Sequence, residues 1–228
     1  DSSNVDLELS SGVNQIFSSH SAFAALKDDG SVVSWGNSRY GGDSSSVATE
    51  LSSGVNQIFS TEGAFAALKD DGSVVSWGNS DYGEYGGDSS SVATELSSGV
   101  NQVFSSERAF AAVKDDGSVV SWGNSDYGGD SSSVATKLSS GVNQVFSAEK
   151  AFAALKDDGS VVTWGRSEAA NSKPVATELS SGVNQIFSTT AAFAALKDDG
   201  SVVTWGRSDW GGDSSIVAAD LNSGVNQI

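Results

Sequence analysis

Apolar residues along this chain come in short runs set between Gly, Ser and Asp. One stretch shows the full set: GVNQIFS at 54–60, AFAALK at 64–69, SVVSWG at 73–78 and SVATEL at 91–96. The runs are rich in Val, Ile, Phe and Trp and too short for helices, so they predict four strands. Phe65 and Ala67 would share one face of their strand, Ala66 and Leu68 the other. Both faces are therefore apolar, as in strands sandwiched between neighbouring sheets. Large side chains alternating with Ala would let such sheets nest. Asp71-Gly72, between the second and third runs, predicts a two-residue type I′ hairpin, a turn that needs positive φ at both central positions.

The same pattern returns along the whole chain. LKDDGSVVSWG at 68–78 recurs nearly letter for letter at 26–36, 113–123, 155–165 and 196–206, giving five copies. Its Trp residues (35, 77, 122, 164, 205) are separated by 42, 45, 42 and 41 residues. Periods of about 40–50 residues in all-β sequence point to propeller blades. The expected fold class is all-β: a β-propeller of five four-stranded blades, one 41–45-residue repeat per blade, with overlapping ends, as a single domain over 1–228. The repeats fall near 12–53, 54–98, 99–140, 141–181 and 182–223. Length changes fall in the long loop before the fourth run, as an insertion Glu84-Tyr85-Gly86 and a rewritten, shorter loop at 167–173. Pro174, the one proline, would open the fourth strand of its blade, placing that strand at the outer edge where a missing N–H is tolerated.

Residues 213–228 duplicate residues 1–16 at an offset of 212. A closed ring of five blades has one slot for that segment, so the two copies compete for it. Asp1–Leu9 and Gly224–Ile228 would then be surplus. Free strand edges recruit pairing partners, which predicts self-association through the duplicated ends, as dimers or head-to-tail assemblies. An open arc is the other arrangement the duplication allows.

Charge narrows the partners. The 29 acidic and 12 basic residues leave a net charge of −17, which repels phosphate backbones and anionic lipid, so no nucleic acid and no membrane surface is expected. No apolar stretch is long enough for membrane insertion. Cys is absent, removing disulfides and thiolate chemistry, and so is Met; an extracellular or cell-surface setting suits both. The start at Asp1, without Met or a signal-peptide pattern, suits an excised domain or a processed product.

Catalytic chemistry finds little support. His20 is the only histidine and lies in a connection between strands, with no marked nucleophile. Paired carboxylates occur as identical copies rather than as one asymmetric site. The Asp-Asp-Gly turns supply too few oxygens for calcium, so neither metal nor cofactor is expected. Every repeat has one motif Trp, and the contact between repeats accounts for it.

The positions where near-identical repeats differ are more informative. They gather in the first connection (His20-Ser21, Glu62-Gly63, Glu107-Arg108, Glu149-Lys150, Thr190-Ala191) and in the long loop (Arg39-Tyr40, Asp81-Tyr82 with Tyr85, Asp126-Tyr127, Glu168-Ala169, Asp209-Trp210). Both connections should lie on one rim, whereas the Asp-Gly and Ser-Ser-Gly connections of the other rim barely change. Aromatic and Arg side chains dominate interface energetics. The candidate binding residues are therefore Tyr40, Tyr82, Tyr85, Tyr127 and Trp210 as anchors, with Arg39, Asp81, Asp126, Asp209 and Arg108 as polar contacts. Neutral drift in tolerant loops is the competing explanation.

The recurring V-N-Q-(I/V)-F, F-A-A-(L/V) and D-G-S-V-V-x-W-G pattern, with P-V-A-T-E-L in one copy, resembles the regulator-of-chromosome-condensation repeat. It is most similar in style to the bacterial propellers of that group that bind and inhibit β-lactamases. The resemblance covers essentially the whole chain and implies a β-propeller. Two features depart from it: Phe65, Phe110, Phe152 and Phe193 stand where the family often has His, and Y-G-G-D stands where it has G-Q-L-G. The family commonly has seven blades. No residue matches its nucleotide-exchange activity, which is not carried over. The expected function is a non-catalytic scaffold that engages a protein or glycan through the variable rim. The alternative is a structural repeat segment of a large surface protein with no dedicated site.

Overall fold

The computed structural model describes residues 3–81, 84–166 and 168–228. Five antiparallel sheets of three strands follow one another along the chain. The first holds β1 (Val13–Ser18), β2 (Ala22–Lys27) and β3 (Val32–Gly36). The second holds β4 (Val55–Ser60), β5 (Ala64–Lys69) and β6 (Val74–Gly78). The third holds β7 (Val100–Ser105), β8 (Ala109–Lys114) and β9 (Val119–Gly123). The fourth holds β10 (Val142–Ala148), β11 (Ala151–Lys156) and β12 (Val161–Gly165), and the fifth β13 (Val183–Ser188), β14 (Ala192–Lys197) and β15 (Val202–Gly206). Each middle strand pairs with both neighbours, as in Ile58↔Ala67 and Phe65↔Trp77.

The hairpin turn differs from the two-residue loop expected. Gly30 N–H donates to Lys27 O at 2.9 Å and Lys27 N–H to Ser31 O at 2.9 Å. Asp28 and Asp29 are thus the central residues of the turn, and Gly30, at φ +75°, is the left-handed residue after it. This three-residue loop is the common type I turn followed by a glycine bulge. Asp29 secures it, accepting from the Ser31 N–H at 3.0 Å and the Ser31 hydroxyl at 2.6 Å. The second Asp of the pair therefore works as a turn clasp, which a two-residue loop would not use.

The fourth strand is not formed. SVATEL and its counterparts fold as single 3-10 turns, Ser45–Val47 and Glu50–Ser52 in the first repeat. Val47 and Leu51 are four residues apart, and this spacing puts both on one side of a helical turn. Leu51 is buried, and Val47 packs against the same cluster. Asp43 starts the segment by accepting from Ser45 N–H at 2.9 Å. Pro174 correspondingly lies in the turn Lys173–Val175, in its first positions. Proline suits that place because the N–H there has no helical partner.

Sheet contacts follow one rule. Ala22, Ala24 and Leu26 of one repeat pack on Val55, Ile58, Phe65, Ala67 and Trp77 of the next, with Leu51 wedged between. The same arrangement joins the second to the third, the third to the fourth and the fourth to the fifth sheet. Each interior strand thus has an Ala-Ala-Leu (or Ala-Ala-Val) face towards the following repeat and a Phe-Ala face towards the preceding one. Phe65 and Trp77 stack at 5.2 Å between ring centroids, and Trp77 Nε1–H donates to Gly41 O of the preceding repeat at 3.0 Å. Gly41 is at φ +95°, and a Cβ there would stand 2.5 Å from the Phe65 ring; both facts demand glycine. Trp122 and Trp164 repeat the bond to Gly86 O and Gly128 O. Among the described residues the Trp205 indole finds no acceptor, because the rewritten loop before it has no such glycine.

The same bonds set the register of the insertion. Gly86 takes the place of Gly41, and the carbonyl of Tyr85, like that of Tyr40, accepts from the first connection of its repeat. The inserted residues are therefore 82–84, and Tyr85 is the regular member of the row. This corrects the placement Glu84-Tyr85-Gly86.

The ends do not overlap. Lys27 Nζ donates to Glu8 O at 2.8 Å, as Lys69 Nζ does to Glu50 O, so the segment before β1 caps the first repeat as 43–53 caps the second. Val225 N–H donates to Gly200 O at 3.0 Å, as Val55 N–H does to Gly30 O at the joint between the first and second repeats. Each duplicate is used at its own end, and the two do not compete within one chain. Among the described residues no core cluster joins the fifth sheet to the first, and Phe23 is 45% exposed where Phe65 is 0%. The four inter-sheet rotations leave the arc open.

Candidate functional site

The first connection and the start of the long loop meet on one rim, since Ser19 Oγ donates to Tyr40 O at 2.7 Å and Asn37 N–H to Ser21 O at 2.9 Å. Successive first connections are stitched together by backbone bonds: His20 N–H to Glu62 O, Glu62 to Glu107, Glu107 to Glu149 and Glu149 to Thr190, at 2.8–3.0 Å. This ladder runs across all five repeats and holds the most variable residues side by side. The backbone is the same at every rung; only the side chains differ.

Those side chains form a continuous strip. His20 lies 5.5 Å from the Tyr40 ring, and Tyr40 lies 6.4 Å from Tyr85. The Arg108 guanidinium is held between Tyr85 at 4.8 Å and Tyr127 at 5.0 Å. Lys150 sits over the far side of this row, 5.2 Å from the Tyr127 ring. Arg108 also pairs with Glu62 and Glu107, each at 3.2 Å, and Lys150 with Glu149 at 3.2 Å. A guanidinium between two aromatic faces and two carboxylates is held in place, because its planar fork can stack and ion-pair at once.

Titration follows from the packing. Burial raises the Glu107 carboxyl above its ordinary value, and the hydrogen bond and negative charge of Glu149 add to this. Partial burial would lower the Arg108 pKa, but Tyr127, Tyr85 and Glu62 outweigh it and raise it. Burial also raises the Tyr85 phenol. The strip therefore carries fixed charges of both signs, half-buried beneath aromatic rings.

Of the residues singled out by sequence, the structure brings Tyr40, Tyr85, Arg108 and Tyr127 together. Arg39 and Asp81 form an exposed pair at 2.6 Å beside them. Asp126 pairs with Arg166 at 2.8 Å, and Asp209 with Arg207 at 2.8 Å. Trp210 takes the tyrosine position of the fifth repeat and lies 5.7 Å from Arg207. Tyr82 lies outside the described residues. Sequence reasoning passed over Glu62, Glu107, Glu149 and Lys150 as site members, although each occupied a variable position. Their role depends on contacts between repeats, which no single repeat displays. The acidic turns of the opposite rim are committed to the fold: Asp29 to Ser31, and Asp28 to Asn14 at 3.2 Å.

No family model matches the chain, and no curated protein matches it. Solved structures do. Human WBSCR16 is 23% identical, with a TM-score of 0.51 over 85% of this chain and 61% of its own. Prp20p from Saccharomyces cerevisiae, described with its binding to Gsp1p and histones, is 16% identical, with a TM-score of 0.50 over 85% and 58%. Yeast RCC1 (Prp20) bound to Kap60 gives 18% identity and a TM-score of 0.52 over 86% and 56%. The chain spans about three fifths of the length of these structures. Its three-stranded repeats, stacked through the Phe-Trp and Ala-Leu faces, have the fold of the RCC1-type β-propeller repeat.

Proposed function

We propose that the chain is a non-catalytic scaffold that binds a protein through the strip Tyr40–Tyr85–Arg108–Tyr127–Lys150. The observation that carries this reading is the coincidence of variation and composition. Among the described residues, repeats that are otherwise near copies place aromatic and cationic side chains side by side only on this rim. Stacked Tyr and Arg are the groups that form hot spots. The ladder beneath holds them ready, which lowers the ordering cost of association. The net charge of −17 favours a basic partner surface and speeds encounter with one. Proteins of this fold that bind other proteins, such as Prp20p with Gsp1p and histones, lend the reading support.

The test compares proteins retained by the immobilised chain with those retained by Tyr85→Ala/Arg108→Ala/Tyr127→Ala. Asn56→Ala/Asn101→Ala, on the opposite rim, is the control. The rim variant should lose the partner and the control should keep it. Equal retention by all three would remove the rim assignment. Binding to a glycan array without any protein partner would transfer the strip to glycan recognition. A second reading, a structural segment of a larger surface protein, is favoured by the open faces of the first and fifth repeats.

A further inference from the structure

The four internal joints show what each kind of sheet face requires. The Ile or Val, Phe and Trp face of one repeat is always covered by the Ala-Ala-Leu (or Ala-Ala-Val) face of the repeat before it. Covered in this way, Ile58 is 3% and Phe65 0% exposed. The first repeat carries the same face with no sheet over it, and there Ile16 is 56% and Phe23 45% exposed. The fifth repeat carries the opposite half. Ala194 is partly exposed where its counterparts Ala24, Ala66, Ala111 and Ala153 are fully buried, while Ala192 and Leu196 beside it stay buried. The chain thus ends in two different apolar faces that are complementary in shape and sequence, each being half of a joint the molecule already makes four times.

From this we infer that a second copy of this chain docks its first repeat on the fifth repeat of the first copy, rebuilding the internal joint between molecules. The surface is distinct from the tyrosine strip and does not depend on that reading. The contact is heterologous, so it propagates head to tail until it closes or runs on as an open chain.

Two features set its conditions. Gly224 occupies, against Gly200, the place that Gly54 takes against Gly30: the neighbouring backbone nitrogen would stand 2.8 Å from an added Cβ in both cases. An incoming copy brings its own Gly12 to that place. Residues 224–228 form no strand, whereas Gly12 is continuous with β1, so the C-terminal segment is the one that yields. The duplicated segment therefore acts as a weak plug on the fifth repeat. The second feature is charge. Each copy carries −17, and the joint forms more readily when salt screens this repulsion.

The experiment is sedimentation velocity of the 228-residue chain over roughly 1–200 μM at low and high salt. Phe23→Glu and Ala194→Glu are measured alone and mixed, with circular dichroism to confirm folding. The wild type is expected to assemble with rising concentration and more so at high salt. Each variant alone should be monomeric, because each lacks one half of the joint. Their equimolar mixture should give a 1:1 dimer and nothing larger, since only one intact pair of faces remains. A monomeric wild type throughout would overturn the inference. So would a wild-type dimer lost in Phe23→Glu but retained in Ala194→Glu, which would mean that like faces meet. Phe23 is 45% exposed and Ala194 is partly exposed in the single chain, so both variants should fold. If one does not, Ile16→Glu or Ala194→Gln replaces it in the same mixing scheme.

Discussion

The open arc makes one comparison unusually direct. Phe23 and Phe110 are the same residue at the same strand position, each stacked on its own Trp, at 5.4 and 5.2 Å. They differ in what lies on the other face. Phe110 is 0% exposed and sits beneath Ala64, Ala66 and Leu68 of the preceding repeat. Phe110→Ala removes the transfer energy of a full ring and leaves a cavity, a loss of about 3–5 kcal/mol. Phe23 is 45% exposed, so little more than half of its transfer energy is present. With a fully buried Phe worth ~1.5–3 kcal/mol, Phe23→Ala should cost ~1–1.5 kcal/mol. There is no cavity contribution, because water already reaches the site. The expected gap is about 2–3 kcal/mol between two chemically identical substitutions. Urea denaturation followed by Trp fluorescence, at about 1 μM to keep copies apart, would measure it. Repeat arrays can unfold in parts, so amide exchange of β1–β3 and β7–β9 should accompany the melts. Equal losses at the two positions would refute the reasoning and mean that the first face is covered within the single chain.

Glycine offers a second pair. Gly41→Ala should cost several kcal/mol, from about 1–2 for a side chain at positive φ and ~1–3 for pressing on the Phe65 ring. Gly211→Ala has the same backbone, φ +97°, with nothing within 4 Å, and should show the conformational cost alone in the same melts. Acid stability should pass through a maximum. The Ser31 hydroxyl and N–H hold the Asp29 carboxyl below 3.8, as do Ser73, Ser118, Ser160 and Ser201 for Asp71, Asp116, Asp158 and Asp199. Depressed folded values add stability above the unfolded pKa, and that stability is lost as the pH falls through the folded value. Glu107 is raised, so its ionisation opposes folding and its protonation on mild acidification relieves this. The melting temperature should therefore rise as mild acidification protonates Glu107 and fall again once the pH drops below the ordinary carboxylate range. In Glu107→Gln the rise should shrink. A melting temperature still climbing at pH 3 would exclude the turn clasps as stabilising groups.

Much of this architecture is local and was legible in the chain. Strands β4, β5 and β6 fall within a residue of the runs read from apolar pattern alone, because strand spacing and turn chemistry act over a few residues. The nesting of Phe-Ala faces on Ala-Leu faces followed from the same alternation. The segment around Val47 and Leu51 was misread because a short run with one residue of each kind fits a strand as well as a turn. Only the wedge of Leu51 between two sheets decides for the turn. The insertion beside Tyr85 was ambiguous for a similar reason: YGEYGG reads the same in two registers, and the bonds from Thr61 and Trp122 of two different repeats choose between them. The tyrosine strip was half visible. Variation marked its rungs, but the sandwich of Arg108 between Tyr85 and Tyr127 exists only where neighbouring repeats stack. Closure was not legible at all. It depends on a rotation repeated at four joints, where each small angle comes from side-chain packing across the joint. The sum of those angles, which no residue pattern carries, leaves Phe23 facing water.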